Sequence, residues 1–288
     1  MKPATEPMRV YSSETVAGSI VESPSEKSEL LQSFGSCEQL RSLRVSLAAN
    51  SRLVCLENYG SVEAEMFRLL GLRLKYLRQR RKLKRIVITS TMPEEGKSVV
   101  AANLAATMCR NKKERVLLVE GDLRRPTLSQ RFGWDHRAGL TEYLRDDLPA
   151  REVIYRVDPH GFYVVTGGET AKDPFELLQS KRLAEFVEQV TKVFDWIIID
   201  STPILPLADT AVWTRLADGI LIVARQGKTE KRPLEKALET LDRSALLGVV
   251  LNGFSDVLQD KCSKYYNYYR KLAPSPKNNT GQSITARE

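Results

Sequence analysis

One stretch sets the terms for the rest of this chain. From Ile86 to Leu104 it runs through a β-branched apolar segment (Ile86, Val87, Ile88), a turn with Pro93 and Gly96, and a Lys97–Ser98 pair, and it enters an Ala-rich segment, Val99 to Met108. The first segment favours a buried strand and the last a helix packed on a sheet. Strand, loop, Gly-Lys-Ser, helix is the layout of a phosphate-binding loop. Loop N–H groups and a helix N-terminus together present partial positive charge to an anion, so a polyphosphate fits there. On this reading Glu95, Gly96, Lys97, Ser98 and Val99 form the nucleotide-binding loop. Lys97 reaches the β/γ-phosphates, and the Ser98 hydroxyl binds the Mg²⁺ that bridges them. The strict pattern places Gly six residues before the Lys, where this chain has Thr91. An ordinary strand–turn–helix with a surface lysine has the same local composition.

Two carboxylates separate those readings. Val116 to Glu120 is an apolar strand running into Gly121 and Asp122, and Asp195 to Asp200 is another, followed by Ser201-Thr202-Pro203. Ligands of open α/β sheets lie beyond the carboxyl ends of the strands. A single acid there is often a helix N-cap. Two in one sheet with a Gly-Lys-Ser loop converge on a Mg²⁺-nucleotide site. Phosphoryl transfer needs a lysine and a metal to neutralise charge and a carboxylate to orient the attacking oxygen, and Lys97, Ser98, Asp122 and Asp200 supply that set. Further strands are expected at Gly161–Val165, Gly219–Ala224 and Gly248–Asn252, alternating with helices around Pro126, Gly139–Arg145, Pro174–Val193, Leu207–Leu216 and Thr229–Leu241. That alternation predicts an α/β fold, a mostly parallel sheet with helices on both faces.

The 288 residues suit one large domain with appendages, or at most two domains. Residues 1–60 read as a mostly disordered arm, with a weak amphipathic hint of a short helix at Leu40–Leu47. Residues 61–255 hold the domain, opening with an amphipathic helix whose Met66, Leu70, Leu74 and Leu77 share one face. Residues 256–288 form a polar, flexible tail in which Tyr265, Tyr266, Tyr268 and Tyr269 cluster. Such a cluster is either an interface or a phosphorylatable segment. Apolar runs are too short to span a membrane and no signal region is evident, which points to the cytoplasm. Cys37, Cys55, Cys109 and Cys262 lack metal-ligand spacing and read as reduced thiols. The net charge of +8 is concentrated in Arg78, Arg80, Arg81, Lys82, Lys84 and Arg85. That block suits a solvated helix end, an anionic membrane surface or an acidic partner. No aromatic interleaving accompanies it, so nucleic acid is not expected as a partner.

The motifs together resemble the bacterial tyrosine autokinases of capsule and exopolysaccharide synthesis, whose fold is similar to that of the septum-site and partition ATPases. STMPEEGKS resembles the family's Walker A, VLLVEGDLRRP its Walker A′, WIIIDSTP its Walker B, and Tyr265 to Tyr269 its terminal tyrosine cluster. The resemblance implies an ATP- and Mg²⁺-dependent kinase that phosphorylates its own tail tyrosines and regulates polysaccharide synthesis and export. It carries Arg124 over as a further catalytic residue beside Lys97, Asp122 and Asp200, with Ser98, Asp122 and Asp200 around the metal. It also implies a transmembrane activator, a polysaccharide chain-length protein with a cytoplasmic tail, that recruits the chain to the inner face of the plasma membrane. Three positions depart from the pattern. Glu120 stands for an Asp, and Glu94 for a Gly at a position where φ > 0 would be costly. The Glu-x-x-Arg-x-x-Arg motif of homo-oligomer assembly is matched by Glu65 and Arg68 but not by Gly71. The alternative is a nucleotide-switched ATPase scaffold without kinase activity. Partition-type loops carry an extra lysine where this chain has Met92.

Overall fold

The computed structural model describes residues 40–47, 51–111 and 113–253. Among them eight strands form one sheet: β1 (Ser42–Arg44), β2 (Arg85–Ser90), β3 (Val116–Glu120), β4 (Tyr155–Asp158), β5 (Tyr163–Val165), β6 (Trp196–Asp200), β7 (Gly219–Arg225) and β8 (Leu246–Asn252). Their order is β1-β4-β5-β3-β6-β2-β7-β8, and every neighbouring pair is parallel except β4 with β5. The expected α/β architecture is therefore what the chain adopts. β3 and β6 are buried at every residue, as continuous Val/Ile/Leu runs require when helices cover both faces.

The helices are α1 (Val54–Glu57), α2 (Val62–Arg80), α3 (Lys97–Met108), α4 (Leu128–Arg131), α5 (Leu140–Arg145), α6 (Ala150–Val153), α7 (Pro174–Gln179), α8 (Lys181–Val193), α9 (Asp209–Leu216) and α10 (Lys231–Glu239). Alternate residues of the central strands feed two cores. Ile86, Ile88, Leu118 and Ile198 pack with α1, α2 and α3. Val87, Leu117, Val119 and Ile199 pack with Tyr143 of α5, Phe186 and Val190 of α8, and Trp213 of α9.

The arm assigned to residues 1–60 is corrected where the structure describes it. Ser42–Arg44 is a strand, not a helix, and pairs in parallel with β4. Leu43, Val45 and Leu47 alternate with polar residues and pack on the core, a period of two that a helical reading overlooks. Leu53 is fully buried, and Asn103 of α3 fastens the chain beside it. The Asn103 Oδ1 accepts from Cys55 N at 2.9 Å, while Nδ2 donates to the carbonyls of Arg52 and Val99, each at 2.9 Å. The tyrosine tail lies outside the described residues.

Helix α2 starts where expected, with the Ser61 side chain accepting from Ala64 N at 3.1 Å. Its buried line runs through Ala64, Gly71 and Leu74, with Phe67, Leu70 and Leu77 beside it. Met66, assigned to that face, instead points outward with Leu69, Leu72 and Tyr76. Strands β2, β3, β6, β7 and β8 all end at one edge of the domain and begin at the other. The two edges are chemically unlike.

Candidate active site

At the carboxyl ends of β2, β3 and β6 the chain brings Lys97, Ser98, Asp122 and Asp200 together. Register pairs Asp200 with Ile88 of β2 and with Glu120 of β3, so the two strand-end acids are neighbours. Lys97 opens α3 and its Nζ lies 2.8 Å from Asp122 Oδ2 and 3.7 Å from Asp200 Oδ1. Burial alone would lower the Lys97 pKa, but the charges of Asp200 and Asp122 outweigh it and raise it. Ser98 Oγ sits 3.5 Å from Lys97 Nζ.

Asp200 is fully buried, and neither of its oxygens has a hydrogen-bond partner among the described residues. Burial pushes its carboxyl above the usual range, opposed by the Lys97 charge and then by the Ser98 hydroxyl. A buried carboxylate without donors is costly unless a cation completes it. Hard oxygen donors beside a phosphate loop are the set that Mg²⁺ takes, so these residues fit that ion.

The loop is shaped by contacts within the chain. The N–H groups of residues 97–99 precede the first helical bond, Val100 N to Gly96 O at 3.0 Å, and remain available to an anion. Gly96 has φ +99°, and a Cβ there would fall 2.1 Å from Asn252 Nδ2. That Nδ2 donates to Glu95 O at 2.9 Å, so the end of β8 fastens the loop. Glu94 does adopt φ +64°. Its carboxylate pairs with Lys228 at 2.9 Å and its carbonyl accepts from Arg225 at 3.1 Å. The Glu95 side chain turns into the loop, where Oε2 accepts from the N–H of Thr91 (2.8 Å) and of Met92 (3.1 Å) and Oε1 from the Thr229 hydroxyl. Of this residue only the backbone is left to face a ligand.

Two motif residues are occupied elsewhere. Arg124 makes a bidentate pair with buried Asp209, Nε–Oδ2 2.7 Å and Nη2–Oδ1 3.0 Å, which raises its pKa. Glu120 accepts from the N–H of Thr127, Leu128 (2.8 Å) and Gly167 (2.7 Å), holding the segment after β3 against that after β5. Burial lifts its carboxyl to about 7 against those three donors.

Residues that sequence reasoning missed supply the frame. Asp209 carried no signal of its own inside an amphipathic helix. Asn252, a polar residue closing an apolar strand, did carry one. Arg131 of α4 has a buried Nε without a partner among the described residues, and its charge opposes the upward shift of Asp200.

No family model matches the chain. The tyrosine-protein kinase YwqD of Bacillus subtilis is 35% identical over 221 residues, covering 75% of this chain and 90% of that protein. The succinoglycan biosynthesis transport protein ExoP of Rhizobium meliloti is 34% identical over 200 residues, which cover 65% of this chain and 25% of that protein. Among solved structures, the kinase domain of the Escherichia coli tyrosine kinase ETK superposes with a TM-score of 0.66 at 28% identity, covering 78% of this chain and 86% of that one.

Proposed function

The chain belongs to the bacterial tyrosine-protein kinases, and on that premise we propose that Lys97, Ser98, Asp122 and Asp200 carry its phosphotransfer from ATP to tyrosine. The observation that supports this most is the pair of acids against Lys97, one of them buried and without donors, at the mouth of a phosphate loop. The loop N–H groups and Lys97 hold the phosphates, and Lys97 neutralises charge on the γ-phosphoryl. Ser98 and Asp200, with Asp122 beside them, would hold Mg²⁺, which supplies further neutralisation of the phosphate oxygens. A tyrosine Oη forms the new bond to the γ-phosphorus as the bond to the bridging oxygen of ADP breaks. Asp122 takes the tyrosine proton. Arg124 acts as a positioning residue through Asp209, and Glu95 through the loop it shapes.

The acceptors we propose are Tyr265, Tyr266, Tyr268 and Tyr269, which lie outside the described residues. The ExoP relative supports a role in exopolysaccharide synthesis and export. Among the described residues no helix is long and apolar enough to cross a membrane. We propose that a transmembrane activator with a cytoplasmic tail brings the chain to the inner face of the membrane. Met66, Leu69, Leu72 and Tyr76, exposed along α2, suit assembly with a second copy.

The test is incubation of the full chain with ATP and Mg²⁺, with phosphotyrosine mapped by mass spectrometry. Phosphate on the tail tyrosines, lost by about 10³-fold in Lys97→Met, is the expected result. Tight nucleotide binding with no phosphotyrosine, even when a cytoplasmic activator tail is added, would favour the nucleotide-switched scaffold instead.

A further inference from the structure

The edge of the sheet opposite the phosphate loop is built from the segments that lead into β2, β3, β6, β7 and β8. Within residues 78–85, 113–115, 195, 218 and 242–243 there are nine Lys or Arg against four acids. Three of the acids are spent locally on cations and backbone N–H groups, and the fourth, Asp242, accepts from Ser244 N and Oγ at 2.9 Å each. Asp218 takes the Arg85 guanidinium and two backbone N–H groups, Asp195 takes Arg115, and Glu114 takes Lys75 and Arg78. Arg81 is spent as well, on the carbonyls of Ser244 (2.8 Å) and Asp218 (3.0 Å). Arg80, Lys82, Lys113 and Arg243 are left exposed, with no acidic partner among the described residues.

These four cations come from three separate segments at one end of the sheet: the end of α2 with the turn after it, the turn before β3 and the turn before β8. Beside Arg80 and Lys82 opens a cavity of about 410 Å³, lined by residues 78–84. We propose that this edge docks directly on an anionic lipid surface, with a lipid phosphate head group seated in that cavity. Cations spread over several segments, instead of along one groove, match a plane of negative charge better than a single acidic peptide. Clusters of four to eight basic residues are what draws a protein to an anionic leaflet. Docked this way, the strands point away from the bilayer and the Lys97 end faces open solvent. The proposal does not depend on the kinase reading, and its test involves no phosphotransfer.

The full chain is sedimented with vesicles of phosphatidylcholine alone and with vesicles containing about a third phosphatidylglycerol, at about 0.15 M salt. Binding is expected only to the anionic vesicles, weakening as salt rises. Neutralising Arg80→Gln, Lys82→Gln, Lys113→Gln and Arg243→Gln should lower the partition coefficient about 5-fold for each charge removed. Thermal unfolding and nucleotide binding of these variants should match the parent, since the side chains are exposed and remote from the loop. Equal vesicle binding by the fourfold variant would overturn the proposal. So would a parent that ignores anionic vesicles. Soluble glycerophosphate or polyphosphate displacing the parent at concentrations equivalent to the lipid phosphate would also overturn it, in favour of a free phosphate ligand.

Discussion

Asp200 and Asp218 stand at opposite edges of the same sheet, one closing β6 and the other leading into β7. Asp218 accepts from Lys84 N (3.0 Å), Arg85 N (2.8 Å), Arg85 Nε (3.3 Å) and Arg85 Nη2 (2.7 Å). Burial would raise its pKa, but the Arg85 bonds prevail and hold it below the usual carboxylate range. Asp200 is more deeply buried, has no such donors, and is pushed the other way. A saturated carboxylate stabilises the fold. An unsaturated one is kept at a cost to the fold, which is the mark of a candidate binding site.

Exchange of roles is the most severe test. Asp200→Asn should cut phosphotransfer by about 10³-fold while leaving the chain as stable as the parent or more so, because a buried charge without hydrogen-bond donors has been removed and Lys97 keeps its bond to Asp122. Asp218→Ala should do the reverse, costing about 2–4 kcal/mol in urea unfolding through orphaned N–H groups and Arg85, with activity retained in the folded fraction. Loss of stability in the first variant, or of chemistry alone in the second, would erase the distinction.

Glu120 sharpens it, being a buried acid at the same edge as Asp200 that nevertheless has donors. Its pKa rises from 4.5 unfolded to about 7 folded. The folded state therefore holds the proton more tightly. The stability this contributes is complete below about pH 4.5 and is lost as pH rises through about 7. Unfolding free energies measured across pH 5–8 should slope downward for the parent by on the order of 1–3 kcal/mol. They should be flatter for Glu120→Gln, whatever that variant's absolute stability.

The smallest effect is expected at Glu94. Glycine there removes the penalty of φ +64° and also the exposed pair with Lys228. Glu94→Gly should raise Tm by no more than about 3 °C. A marked fall would mean that the Lys228 contact, not the loop's own turn, holds the backbone.

The phosphate-loop edge is far more legible in the sequence than its opposite. β2, β3 and β6 announce themselves because strands covered on both faces must be apolar throughout, and an acid at the end of such a run stands out. β1 and β4 are short and half-buried at one side of the sheet, so their alternation is brief enough to pass for helix or loop. Met66 falls off the buried face because α2 buries a line set by Ala64 and Gly71, small residues that let it lie close to α3. What sequence could not reveal was occupancy. Arg124 and Asp209 find each other across distant segments, and Glu95 spends its carboxylate on its own loop. The motif names a residue type but not its bonding partner.

The bond from Asn252 to the carbonyl of Glu95 ties the last turn of the phosphate loop to the point where the described chain departs. The backbone carbonyl of Asn252 accepts from Gln226 N at 2.9 Å, so this residue is held by the segment after β7 on one side and holds the geometry around Gly96 on the other. The end of β8 and the phosphate loop are thus one joint: a displacement at Asn252 reaches the loop, and a change of loop shape reaches the end of β8.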